Sequence, residues 1–158
     1  MQTLGGERED TVKRIVMPGV ILVTALIAYG PVAEASPPAP VTITIEQQLT
    51  GPTSAAGTFT AVGAFSDSGE YVEDFRLRPS GTIQGTKTLT SQRGTMTLRS
   101  VGKLVFTGPT TAVAEGRWVI VSGTGDFSRL HGQGSVTVSV DFATGTAVAI
   151  HEGEAHFD

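Results

Sequence analysis

From position 41 onward, apolar and polar residues alternate with a period of two, broken repeatedly by Gly, Pro, Ser and Asp. That period puts successive side chains on opposite faces of a strand. No stretch in this part of the chain carries the roughly 3.6-residue apolar spacing of an amphipathic helix. The pattern predicts eight strands, at about 41–49, 57–65, 70–77, 83–90, 95–106, 112–122, 133–142 and 146–156. The joints are short: Gly51 with Pro52, Ser66 to Gly69, Pro79 to Gly81, Arg93 with Gly94, Gly108 with Pro109, and Thr144 with Gly145. Connections this short force neighbouring strands to pair antiparallel. Eight strands suffice to close a meander into a barrel, which removes exposed edges.

Turn lengths also set registers. A turn centred on Ser80 puts Tyr71 opposite Leu89, Glu73 opposite Lys87, Phe75 opposite Gly85 and Leu77 opposite Ile83. The next turn sets Leu89 against Met96 and Lys87 against Leu98, and one centred on Pro109 sets Phe106 against Ala112, Ser100 against Trp118 and Leu98 against Ile120. One face then collects Ile43, Ile45, Phe59, Phe65, Tyr71, Phe75, Leu77, Ile83, Leu89, Met96, Leu98, Leu104, Phe106, Trp118 and Ile120. The opposite face is rich in Thr, with Asp74, Arg76, Arg99, Glu115 and Arg117. A slip of one residue would exchange the two faces, so their consistency argues for the barrel, aromatic side inward. The outer face also carries Val101, Val105, Val113, Val119 and Val121, an apolar patch that suits self-association as well as scattered β-branched residues would.

The N-terminal segment reads differently. Lys13 and Arg14 precede an apolar run from Ile15 to Tyr29, and Ala33, Glu34 and Ala35 form an A-x-A cleavage pattern. This predicts a signal-peptide helix within residues 1–35, cleaved after Ala35. Left uncleaved, it would be the chain's one membrane contact. The run is shorter than the ~20 apolar residues of a span. Ser36, Pro37, Pro38, Ala39 and Pro40 form a stiff spacer (36–40) ahead of the barrel domain, 41–158. The expected location is therefore secreted or cell-surface. Cysteine is absent, so the export reading implies a fold held by its ladder and core alone. The formal net charge is −4 with no basic stripe, which argues against nucleic acid as a partner.

The candidate chemistry is sparse. Glu73 and Lys87 sit on otherwise apolar faces and meet across the β-ladder. Inside a barrel each would cost several kcal/mol to desolvate unless paired. They are either a structural ion pair or a polar foothold for a ligand, with Tyr71, Phe75, Leu98, Ser100 and Trp118 as the surrounding pocket candidates. Glu152, Glu154 and His156 share one face of the last strand while His151 points to the other. That trio has the donor types of a Zn²⁺ site, but solvated terminal residues explain it better, and no metal is expected. Gly123 and Gly125 after Val119 to Val121 imitate a dinucleotide fingerprint, yet Ser128 stands at the third glycine position and no helix follows. No cofactor is expected either. With no Cys and no G-x-S-x-G elbow, nucleophilic catalysis lacks support, and no catalytic residue is assigned.

The run from Val121 to Gly132 crosses between two strands through Gly123, Gly125, Phe127 and Gly132. It resembles the G-T-G-x-F-x-x-x-x-G crossing of plant dirigent proteins and, more loosely, the matching segment of allene oxide cyclases. The chain from Ser36 onward is similar to small bacterial secreted proteins grouped with that eight-stranded barrel. The resemblance implies the barrel, an apolar pocket and a homotrimer. The plant enzymes' pocket residues lie outside the matched run, so none is carried over. A shared barrel does not imply shared chemistry. The expectation is an exported module that binds a small apolar ligand or associates through its outer face. The alternatives are a cofactor-independent cyclase or dirigent-type enzyme acting by confinement, and a structural cell-surface protein without ligand.

Overall fold

The computed structural model describes residues 35–158. The predicted signal helix and most of its cleavage motif fall outside these residues. The described chain forms β1 (Ala39–Gly51), β2 (Ser54–Gly63), β3 (Asp67–Leu77), β4 (Thr82–Ser91), β5 (Gly94–Phe106), β6 (Thr111–Gly123), a single 3₁₀ turn (Gly125–Phe127), β7 (Leu130–Asp141) and β8 (Thr146–Phe157). Every strand pairs antiparallel with its neighbour in sequence, and β1 pairs with β8, closing the barrel. The registers follow from the turns: Glu73 faces Lys87, Phe75 faces Gly85, Lys87 faces Leu98, and Ser100 faces Trp118.

Several strands start earlier than the alternation suggests. β1 takes in Ala39 and Pro40 from the proline spacer, pairing them with Ala155 and Glu154. Pro at the start of a strand is tolerated because little of the ladder needs its missing N–H. β2 gains Ser54, Ala55 and Ala56 opposite Asp74, Glu73 and Val72, and β3 gains Asp67, Ser68 and Gly69 opposite Ala61, Thr60 and Phe59. β7 begins at Leu130, opposite Phe157. Small and polar residues have weak strand preference of their own. Here partners on both sides supply hydrogen bonds that propensity does not.

The two ends of the barrel differ. The lower end, where the β2–β3, β4–β5 and β6–β7 connections gather, is plugged. Phe127 is fully buried there, its ring centroid 5.7 Å from that of Phe65, with Leu130, Val41 and Met96 in the same core. The 3₁₀ turn that inserts Phe127 is stitched to the β4–β5 turn by Asp126 N–H donating to the Arg93 carbonyl at 2.9 Å. Gly125 sits at φ +58°, a left-handed conformation that costs other residues about 1–2 kcal/mol. Above the plug, Ile43, Ile45, Phe59, Leu89, Leu98 and Ile120 fill the middle of the lumen.

The upper end is looser. Two residues expected in the lumen are not enclosed there: Leu77 is 48% and Phe106 62% exposed. Both have inward parity, but they end their strands at the rim, where no opposite wall remains to cover them. Phe106 packs instead beside Phe142, with ring centroids 5.8 Å apart. On the outside, Val101, Val105, Val119 and Val121 are exposed, while Val113 is half-buried.

Candidate functional site

Inward-facing polar groups meet at mid-height. Tyr71 and Glu73 are successive inward residues of β3, and Lys87 faces Glu73 from β4. Lys87 Nζ donates to Glu73 Oε1 at 2.6 Å, and both side chains are buried. The Tyr71 hydroxyl donates to the other carboxylate oxygen, Oε2. Nζ also lies 5.7 Å from the centroid of the Tyr71 ring. The carboxylate thus accepts from two donors, and the ammonium has one charged partner plus a π face. Gly85, the next inward residue on β4, makes room for this arrangement. A Cβ there would fall on Glu73 Oε1.

His151 adds a second polar element from β8, opposite Ile43 on β1. It is fully buried, its ring set edge-on to Trp118 with centroids 5.9 Å apart. Neither ring nitrogen has a hydrogen-bond partner. The Ile43 backbone favours the charged ring slightly without reaching hydrogen-bonding geometry.

Burial governs the charge states. It pushes the Tyr71 hydroxyl well above the usual phenol range, helped by the adjacent Glu73 charge and their hydrogen bond, so Tyr71 stays a neutral donor. Burial lowers the Lys87 ammonium from its ordinary value, with the Glu73 charge and hydrogen bond opposing it. Burial, and then the Lys87 charge, lower His151 from 6.5 to about 3. With Glu73 ionised and Lys87 protonated as an ion pair, the cluster carries no net charge.

The His151 shift has a consequence for stability. The unfolded chain binds a proton at this imidazole near its ordinary value of 6.5, whereas the folded one stays neutral down to about 3. The unfolded state therefore binds more protons between these values. Stability is expected to fall as pH drops through that window, by up to ~1.4 kcal/mol per pH unit. Replacing His151 with Leu should flatten this acid arm. Urea midpoints of wild type and variant, compared near neutral and mildly acidic pH, check it. Parallel slopes would mean that the buried ring takes up its proton as readily as in the unfolded chain.

Above the ion pair the lumen opens into a cavity of about 260 Å³. Phe75, Leu104, Ala114, Val136 and Val138 form much of its wall, and Glu73 and Lys87 its floor. Inward positions Gly85, Gly102 and Gly116 also border it and contribute no side chain to fill it. Because Gly51, Pro52, Leu77 and Phe142 line it as well, its mouth is the upper rim. Gln47 brings a buried side-chain oxygen without a partner to the wall.

Of the residues singled out from sequence, Glu73, Phe75, Lys87 and Ser100 line this cavity. Tyr71 is bound to Glu73 behind the floor, while Leu98 and Trp118 belong to the packed core rather than to the wall. Sequence reasoning missed Gln47 and His151 as lumenal polar groups. Alternation along β8 had already turned His151 away from Glu152, Glu154 and His156. Pairing β8 with β1 would have put it inside. Glu152 and Glu154 are exposed on the outer face, and His156 stacks on His131 at 5.4 Å and lies 3.5 Å from Asp158 Oδ1. Among the described residues, no three metal-ligating side chains are gathered in a geometry that could hold an ion. Comparison with known proteins finds no matching family model, no matching curated protein and no matching solved structure.

Proposed function

We propose that this barrel holds one small, largely apolar and uncharged molecule in its lumen, polar end on the Glu73–Lys87 floor and apolar end toward the rim. The observation that carries the reading is the cavity itself: apolar-walled, sealed below by Phe127, open above, and floored by a buried ion pair. Ligand sites of this kind combine an apolar lining with a few convergent polar groups, and eight-stranded barrels have room for one small ligand. Charge decides the ligand class. The floor is already neutral, so a carboxylate would enter as an unpaired charge at a cost of several kcal/mol. A hydroxyl can accept from Lys87 and donate to the Gln47 oxygen, and a carbonyl can accept from Lys87.

The test uses phenylnaphthylamine, an uncharged lipophilic fluorophore. Its emission should rise with wild-type protein and fall again on adding hexanol, but not hexanoate. Ala114→Phe, which fills the cavity from its wall, should abolish the signal while leaving the urea midpoint near wild type. Equal binding by the filled variant would locate the dye elsewhere and remove the lumenal reading.

A second reading is a cyclase or dirigent-type enzyme that shapes a reactive intermediate by confinement. The hydrogen-bonded chain Tyr71–Glu73–Lys87 favours it, because it offers a proton donor and acceptor beside an apolar chamber. In either case the N-terminal export signature supports work outside the cytoplasm. The exposed valines of β5 and β6 support a homo-oligomer, with a trimer as the form to look for by light scattering.

A further inference from the structure

We propose that Lys87 captures a small aldehyde or ketone in the lumen as a protonated imine, with Glu73 as proton relay and counter-ion. The inference rests on the lumenal reading above and says what chemistry would hold the ligand there.

Geometry makes the case. Lys87 borders an apolar-walled cavity beside Glu73 and is the one Lys or Arg lining it among the described residues. Its partner carboxylate is held in place from behind by the Tyr71 hydroxyl, and the missing Cβ of Gly85 leaves it space. Glu73 Oε1 therefore stays on Nζ at 2.6 Å. An amine attacks a carbonyl only as its free base, and burial of this lysine favours that form. Moving one proton from Nζ to Oε1 along the existing hydrogen bond creates no net charge in the lumen.

The step balances within the pair and its ligand. The Nζ lone pair forms a bond to the carbonyl carbon as the C=O π electrons move to oxygen, which takes the proton back from Glu73. Glu73 then accepts a proton from nitrogen and donates it to the hydroxyl. The C–O bond breaks, water leaves, and the nitrogen lone pair closes the C=N bond. An ammonium and a carbonyl become an iminium and water, and nothing is oxidised or reduced. The positive charge stays on Nζ and the negative charge on Glu73. The buried ion pair is thus preserved in the product, and its electrostatic cost is the same before and after capture. This gives a ligand-linked reason for a lysine and a glutamate inside an apolar barrel.

The experiment incubates the full chain with a series of straight-chain aldehydes from butanal to octanal, adds cyanoborohydride and maps the adducts by mass. Lys103, exposed on β5, is the internal reference for chance reaction. Lys87 is expected to carry a reduced alkyl adduct at roughly ten times or more the occupancy of Lys103, because binding raises its effective aldehyde concentration. Hexanol should protect it. Phenylnaphthylamine displacement by the same compounds separates two failures. Displacement by aldehydes and hexanol, with Lys87 labelled no faster than Lys103, overturns the imine and leaves the lumenal reading standing. No displacement by any of them overturns the lumenal reading itself. The double variant Glu73→Gln with Lys87→Met, in which no charge is left unpaired, should lose the adduct from the peptide that carries position 87 while Lys103 is labelled as in wild type.

Discussion

Lys87→Met alone is expected to destabilise the barrel by about 3–5 kcal/mol, the usual cost of leaving one partner of a buried ion pair behind. Glu73 is buried, and its second oxygen is already used by Tyr71. Without Nζ its charge would have one hydroxyl donor and no cation, and it would protonate or drag water into the core. Glu73→Gln should be costly for the converse reason, because burial already disfavours the Lys87 ammonium and the charge that opposes this would be gone. Combining the two changes should recover much of the loss, since Gln and Met leave a neutral lumen. The measurement is a double-mutant cycle on urea unfolding, with a coupling energy of at least about 1 kcal/mol between the sites. Additive losses would mean that the two side chains do not depend on one another in the folded protein.

The second large effect is at the plug. Phe127→Ala is expected to cost about 3–5 kcal/mol, the range for deleting a buried aromatic side chain whose site cannot collapse. Collapse is hindered because the 3₁₀ turn is tied to the β4–β5 turn, which holds the backbone around position 127 in place against the Phe65 ring. Phe106→Ala is the control. It removes the same side chain from the exposed upper rim and should shift the urea midpoint by no more than about 0.5 kcal/mol in free energy. If the two substitutions cost the same, the lower end is not a packed seal. The ion pair between Arg93 and Asp126 beside the plug, 2.9 Å and well exposed, should contribute at most about 1 kcal/mol.

The ion-pair expectation starts from residues that alternation alone makes conspicuous, and the reason is geometric. In an antiparallel meander a short turn leaves almost no freedom of register, so Tyr71, Glu73, Leu89, Lys87, Leu98 and Ile120 could be put on one face by counting. The facing of Glu73 and Lys87 was legible for the same reason. Strand ends were less so. Gly69, Ala55 and Ala39 join strands because a neighbour already offers hydrogen-bond partners, which is a property of the assembled sheet. His151 was half legible: its parity could be read, but its neighbours come from strands at the opposite end of the chain.

What the amino-acid order determined by itself, then, is local: the strands, their turns, the inward and outward faces, and a carboxylate set against an amine. These depend on side-chain period and on loops of a few residues, which act over short stretches of chain. The register in which β1 meets β8, the cavity above Lys87, the burial of His151 and the exposure of Leu77 and Phe106 were decided only in three dimensions. Each depends on how far the sheet curves and on which wall stands across the lumen, and such distances between remote segments leave no periodic trace along the chain.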